Sequence, residues 1–159
     1  MTGWERISVE DPRGAELADR HYSRQTIGAR GFMPPGKRIA LWMPGAVCGV
    51  CLNKDPLGTM RWRNTIFRNE TRLLSSALII EATWQTYDEW EDEYDELPSI
   101  PLTTEIDVDA TAARRSKRSV PGGCFRHAGW TFVEIRQRVK RTQRHAIYNA
   151  PHPSLRFDR

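Results

Sequence analysis

Ile66-Phe67-Arg68-Asn69-Glu70-Thr71-Arg72-Leu73 is the stretch on which the fold turns, because a strand pattern ends in it and a helical period begins. Residues 60–67 before it read as a strand. After it, Leu73, Ala77, Ile80, Trp84 and Tyr87 recur at intervals of 4, 3, 4 and 3, which aligns them along one helical stripe. The helix is expected to begin near residues 69–71 and to end before Pro98. A strand that runs straight into a long helix makes this an α/β chain.

Upstream, residues 4–9 read as a short strand with Ile7 and Val9 on one face. Asp11-Pro12 opens a helix towards His21-Tyr22, since Asp accepts from orphan amides at an N-cap and Pro is tolerated at the first helical position. Residues 23–37, with Gly31, Pro34, Pro35 and Gly36, form a loop. Residues 38–43 and 46–52 are strands separated by Pro44-Gly45, and a turn at 55–58 leads into the strand at 60–67. Downstream, 102–108 is a strand and 124–128 a short helix, stopped by Gly129 in the left-handed region. Residues 130–139 and 145–148 are the last strands, and residues 150–159 read as an irregular tail. The order β-α-loop-β-β-β-α-β-α-β-β predicts one domain over 1–159. Its sheet should be mixed but mostly antiparallel, of six to seven strands, with helices on both faces.

The charges are segregated. Residues 88–96 carry seven acidic groups in nine positions, whereas from residue 111 onward twelve Lys or Arg face only Glu134 and Asp158. Such a basic third suits a polyanion, and an equally direct reading makes both runs solvated surface. No apolar run approaches the ~20 residues that cross a bilayer. No signal-peptide pattern is expected at the start, and Cys48, Cys51 and Cys124 are an odd number, so the expectation is a soluble, cytoplasmic protein with reduced thiols.

Three places could carry chemistry. The 66–72 junction puts a helix N-terminus, with its amides and partial positive charge, beside Arg68 and Arg72, with Ser75 and Ser76 one turn in; this fits a phosphate, or else an ordinary helix start capped by Asn69 or Thr71. His21-Tyr22 pairs a group that titrates near neutrality with one that donates a proton. Glu105, Asp107 and Asp109 alternate along a strand and share a face, which must look into a polar cleft or into solvent. Cys48 and Cys51 form a CxxC without a second pair, better read as buried thiols than as a zinc site, and Cys124 opens the short helix. Trp130, Phe132 and Tyr148 among basic residues suit either a nucleic-acid groove or the core.

The elements His21-Tyr22-Ser23, Pro35-Gly36 and Phe67-Arg68-Asn69-Glu70 resemble a group of bacteriophage GNAT-like proteins related to the Mom DNA-modification protein of phage Mu. So do Ser75-Ser76-x-Leu78-Ile79, Ala82-Thr83, Thr104-x-Ile106-Asp107 and Pro121-Gly122-x-Cys124-Phe125-Arg126-x-Ala128-Gly129-Trp130. The resemblance spans roughly residues 15 to 135. It implies a GNAT fold with a V-shaped gap between central strands, and an acetyl-CoA or other acyl-type donor at Arg68, Asn69, Glu70, Thr71, Arg72, Ser75 and Ser76. It also implies modification of a base in phage DNA that protects against restriction. Iron enters only by analogy with Mom, and no residue is assigned to a metal. Carried over by motif, His21, Tyr22 and Asp107 become the catalytic set; the basic C-terminal third, with Arg114, Arg115, Lys117, Arg118 and Arg126, is the part expected to hold the DNA backbone. The implied partners are DNA and the donor, with no membrane; a homodimer is compatible and nothing fixes the oligomeric state.

Two departures from the GNAT pattern stand out. The loop Gln/Arg-x-x-Gly-x-Gly/Ala has no counterpart in Arg68-Asn69-Glu70-Thr71-Arg72-Leu73, and Phe125 occupies the position of the usual proton-donating tyrosine. These departures keep a non-catalytic DNA-binding module open; a conventional acetyl-CoA-dependent N-acetyltransferase acting on a small amine or protein is the other alternative.

Overall fold

In the computed structural model, which describes residues 3–21, 31–109, 121–137 and 143–158, helix α1 (Pro12–Asp19) starts as its sequence dictates. The Asp11 carboxylate accepts from the Arg13 N–H at 2.9 Å and Pro12 takes the first position, where no amide is needed. Strand β1 (Glu5–Ile7) precedes it; β2 (Lys37–Met43), β3 (Ala46–Lys54) and β4 (Met60–Asn69) follow as an antiparallel meander. Helix α2 (Ser75–Tyr94) leads to β5 (Leu102–Asp107), α3 (Gly123–His127), β6 (Thr131–Gln137) and β7 (Arg144–Asn149). The seven strands form one sheet in the order β1-β2-β3-β4-β5-β7-β6. Every neighbouring pair is antiparallel except β4 and β5, which are parallel. The fold is mixed α/β, as the order of elements predicted.

Alternate residues of the meander belong to different apolar clusters. Ile39 and Leu41 of β2, with Ala46, Cys48 and Val50 of β3, pack with Leu78, Ile79, Ala82 and Trp90 of α2. Ala40, Val47 and Cys51 pack instead with Leu17 and Ala18 of α1 and with Phe32 and Met33. Successive strand side chains point to opposite sides, and α1 and α2 draw on different sets.

The stripe expected on α2 is displaced. The helix starts at Ser75, and its buried residues are Leu78, Ile79, Ala82, Thr83, Trp84, Thr86, Tyr87 and Trp90, whereas Leu73, Ala77 and Ile80 are exposed. Two threonines obscured the pattern. Thr83 Oγ1 donates to Ile79 O at 2.7 Å and Thr86 Oγ1 to Ala82 O at 2.6 Å, so both hydroxyls are satisfied inside the helix and the side chains can be buried.

Residues 150–159 were expected to be irregular, but Pro153–Asp158 is a 3-10 helix. Arg156 ties it to α2 through Asp88 and Glu91, and Arg6 reaches Glu89 and Glu93 at 3.5 and 3.9 Å. Part of the acidic run is thus paired with arginines from both ends of the chain. Gly129, with φ of 89°, ends α3 in the left-handed region as its sequence position suggested.

A candidate cleft between the central strands

The parallel pair β4–β5 is short. Trp62, Arg63 and Asn64 face Leu102, Thr103 and Thr104; beyond Asn64 and Thr104 the two strands run on without pairing to each other. A bulge helps to turn β4 away. Its register against β3 steps from Gly49↔Ile66 to Val50↔Asn64, which leaves Thr65 as the extra residue. Asn64 secures that bulge: its Nδ2 donates to Gly49 O at 3.0 Å and to Ile66 O at 2.8 Å, while its Oδ1 accepts from Thr104 Oγ1 at 3.0 Å. The closed end of the gap is therefore held by a polar bridge from β4 to β5. On the α2 side, Val50, Phe67, Ile79, Leu102, Phe125 and Trp130 wall a narrow apolar recess with room for about one water molecule.

The connection from β4 to α2 is a network of turns, not the first helical turn expected there. Asn69 Oδ1 accepts from the Thr71 N–H at 2.8 Å and from Thr71 Oγ1 at 2.6 Å, and Thr71 Oγ1 in turn accepts from the Leu73 N–H at 3.0 Å. Asn69 Nδ2 donates to Leu73 O and to Ser75 Oγ. Asn and Thr side chains compete with the helix for backbone groups, which explains why α2 begins at Ser75 and not at 69–71. Leu74 precedes the helix without any side-chain cap, so Ser75 and half-buried Ser76 open a first turn whose amides lack one. Arg72 is exposed beside it.

The end of α1 is clamped to this connection. Arg20 Nε and Nη2 donate to the two oxygens of Glu70 at 2.7 and 3.0 Å; Arg68 Nε donates to Glu70 at 3.0 Å, and Arg68 Nη1 to the Arg20 carbonyl at 2.9 Å. The Arg20 and Arg68 guanidiniums hold the Glu70 carboxyl below the usual carboxylate range. His21 follows directly, its N–H donating to Ala18 O at 2.9 Å, and is half-buried. His21 thus sits one residue from the clamp that joins α1 to the strand–helix junction. Tyr22 lies outside the described residues, as do Arg114, Arg115, Lys117 and Arg118.

The carboxylates of β5 divide. Asp109 falls in the turn after the strand and pairs with Arg144 at 3.0 Å; its N–H donates to Asp107 Oδ1 at 3.0 Å. Glu105 lies on the strand face with Asp107, and the cross-strand partner of Asp107 is His145 of β7. His145 Nδ1 lies 3.4 Å from Glu105 Oε2, and neither buried ring nitrogen makes a hydrogen bond among the described residues. His145 is the site residue that sequence reasoning missed. Its signal is a histidine in register with a carboxylate, visible only once β5 and β7 are known to pair.

The other candidates resolve simply. Arg126 is exposed in the last turn of α3. Trp130 and Tyr148 are core residues, while Phe132 is half exposed and meets the Tyr148 ring edge-on at 5.6 Å. Cys48 and Cys51 belong to different clusters, so they cannot share one metal; burial pushes the Cys48 thiol up to about 12 and raises those of Cys51 and Cys124. Desolvation therefore opposes a thiolate at Cys124 despite its place at the start of α3. Among the described residues no three His, Cys, Asp or Glu side chains converge to hold a metal, so iron finds no ligand set there. Nor, among them, is any helix long and apolar enough to cross a membrane.

Neither the protein-family models nor the curated proteins nor the solved structures contain a match to this chain.

Proposed function

We propose that this chain is a GNAT-like enzyme of the Mom-related kind, which transfers an acyl-type group to a base in DNA. The observation that carries the reading is the separation of β4 from β5 beyond Asn64 and Thr104, with the His21 end of α1 clamped beside the strand–helix junction at its open end. Separate apolar clusters for α1 and α2 and an uncapped start to α2 support the same reading.

In this mechanism the donor's acyl group lies at the open end of the gap between β4 and β5, and its polar end lies along the first turn of α2, near Ser75, Ser76 and Arg72. Arg68, Asn69, Glu70 and Thr71 shape that connection through their own hydrogen bonds, a role indirect to the donor. A base nitrogen attacks the acyl carbon, so a carbon–nitrogen bond forms as the bond to the leaving group breaks. His21 takes the proton from nitrogen, and Tyr22 gives one to the leaving group. Asp107 orients the acceptor. Arg126 and the basic segment with Arg114, Arg115, Lys117 and Arg118 neutralise the DNA backbone, and the target base is drawn out of the stack.

Nucleoside mass spectrometry on DNA from cells expressing the chain tests this. A new nucleoside mass, lost with His21→Ala, is expected; unchanged nucleosides from parent and variant alike would overturn it. A conventional N-acetyltransferase predicts instead coenzyme A binding by calorimetry with no salt-dependent DNA shift.

A further inference from the structure

The two edges of the sheet are β1 and β6, and they are built differently. β1 is three residues long, and its outer side is guarded: Arg13 bridges Glu5 at 3.3 Å and stacks over Trp42 at 4.3 Å. Short edges covered by charge resist pairing with another chain. β6 is seven residues long, Thr131-Phe132-Val133-Glu134-Ile135-Arg136-Gln137, and every one of them is exposed. Phe132, Val133 and Ile135 are 49%, 48% and 52% accessible, large values for such side chains on a strand bearing no proline or lysine. Only a bulge near Val133, where the register to β7 steps between Phe132 and Glu134, interrupts it.

We infer that β6 pairs antiparallel with β6 of a second copy of this chain, about a two-fold axis through Ile135. The charges select both the occupant and the register. In a self-paired antiparallel strand, residues equidistant from the axis face each other on the same side of the sheet. An axis through Glu134 sets two carboxylates opposite, and one through Arg136 sets two guanidiniums opposite. An axis midway between neighbouring residues would set side chains of opposite faces against each other and is no sheet register. With the axis at Ile135, Glu134 of each copy faces Arg136 of the other, twice over, and the two Ile135 side chains meet at the centre. The pair that Glu134 and Arg136 make within one copy at 2.5 Å then has a symmetric partner across the seam. β6 gains backbone partners for its outer edge, and one continuous sheet runs through both copies. The bulge falls outside the central stretch, so it does not disturb these pairs. This inference does not depend on the DNA-modifying reading above.

Sedimentation velocity of the full chain over a wide concentration range tests it. A monomer–dimer equilibrium is expected. Glu134→Arg and Arg136→Glu, each placing like charges opposite, should raise the dimer dissociation constant by about tenfold or more. The double exchange Glu134→Arg with Arg136→Glu restores unlike pairs and should return the constant close to the parental value. Ile135→Lys, which sets two ammonium groups face to face on the axis, should give monomer. All three positions are exposed, and circular dichroism matching the parent confirms that each variant is folded. A parent that sediments as monomer throughout, a dimer indifferent to these changes, or a double exchange that fails to recover pairing would each overturn the inference.

Discussion

Arg20 and Glu70 stand fifty residues apart in sequence and meet in a two-pronged ion pair, Nε to Oε2 at 2.7 Å and Nη2 to Oε1 at 3.0 Å. Arg68 closes the arrangement by bonding both Glu70 and the Arg20 carbonyl. The consequence is positional: the residue after Arg20 is His21, so the carboxylate of Glu70 fixes where the α1 end lies relative to the start of α2.

Glu70→Gln keeps the size of the side chain and removes its charge. Solvated ion pairs contribute little to stability, so the melting temperature should stay nearly constant. Product formation should fall roughly tenfold to a hundredfold as His21 loses its anchor. Because the Glu70 carboxyl titrates below its ordinary range in the folded chain, the clamp is complete above the ordinary carboxylate pKa and is lost as pH falls through the depressed value. The pH profile of kcat/KM in the parent and in Glu70→Gln checks this, and identical acid limbs would count against it.

His145 is half-buried, and its two enclosed ring nitrogens lack a hydrogen bond among the described residues, with Glu105 3.4 Å from Nδ1 and Asp107 opposite. Enclosed ring nitrogens that lack hydrogen bonds weaken a fold. His145→Leu should therefore leave the melting temperature unchanged or raise it, while lowering product formation at least ~tenfold if the ring serves the site. Calorimetry beside nucleoside mass spectrometry reads both; a lower melting temperature with full activity would make His145 a packing residue.

Gly122 has φ of 74°, and a Cβ there would come within 2.7 Å of the Tyr148 ring and 3.0 Å of Ile106. Tyr148 cannot give way easily, since it is buried and its hydroxyl donates to the Pro121 carbonyl at 2.5 Å. Gly122→Ala combines left-handed strain with overpacking and should cost about 1–3 kcal/mol. Differential scanning calorimetry should show the melting temperature down by several degrees.

The thiol of Cys48, raised to about 12 by burial, is almost wholly protonated at pH 8. Labelling of the native protein with iodoacetamide should leave Cys48 unmodified while denatured protein reacts at once. Peptide mass spectrometry locates the label; rapid native modification of Cys48 would contradict its burial.

Local chemistry was enough to foresee α1, the β2–β4 meander and the stop at Gly129. Asp11-Pro12 caps a helix wherever it lies, two-residue turns such as Pro44-Gly45 join antiparallel strands, and glycine alone takes positive φ cheaply. Where side chains bond to their own backbone, sequence patterns misled. Asn69 and Thr71, read as the helix start, instead delay α2 to Ser75; Thr83 and Thr86, polar by letter, are buried. The irregular tail was likewise misjudged, because Arg156 becomes ordered only against Asp88 and Glu91 of another element.

By itself the sequence determined the element order and the residue types near the junction, since periodicity, caps and turn residues act over a few positions. Only the tertiary structure decided that β4 and β5 part after Asn64 and Thr104, that Arg20 reaches Glu70, and that His145 stands opposite Asp107. Those relationships join residues 38 to 50 positions apart. Strand pairing and a single bulge at Thr65 set them, and neither leaves a local mark in the chain.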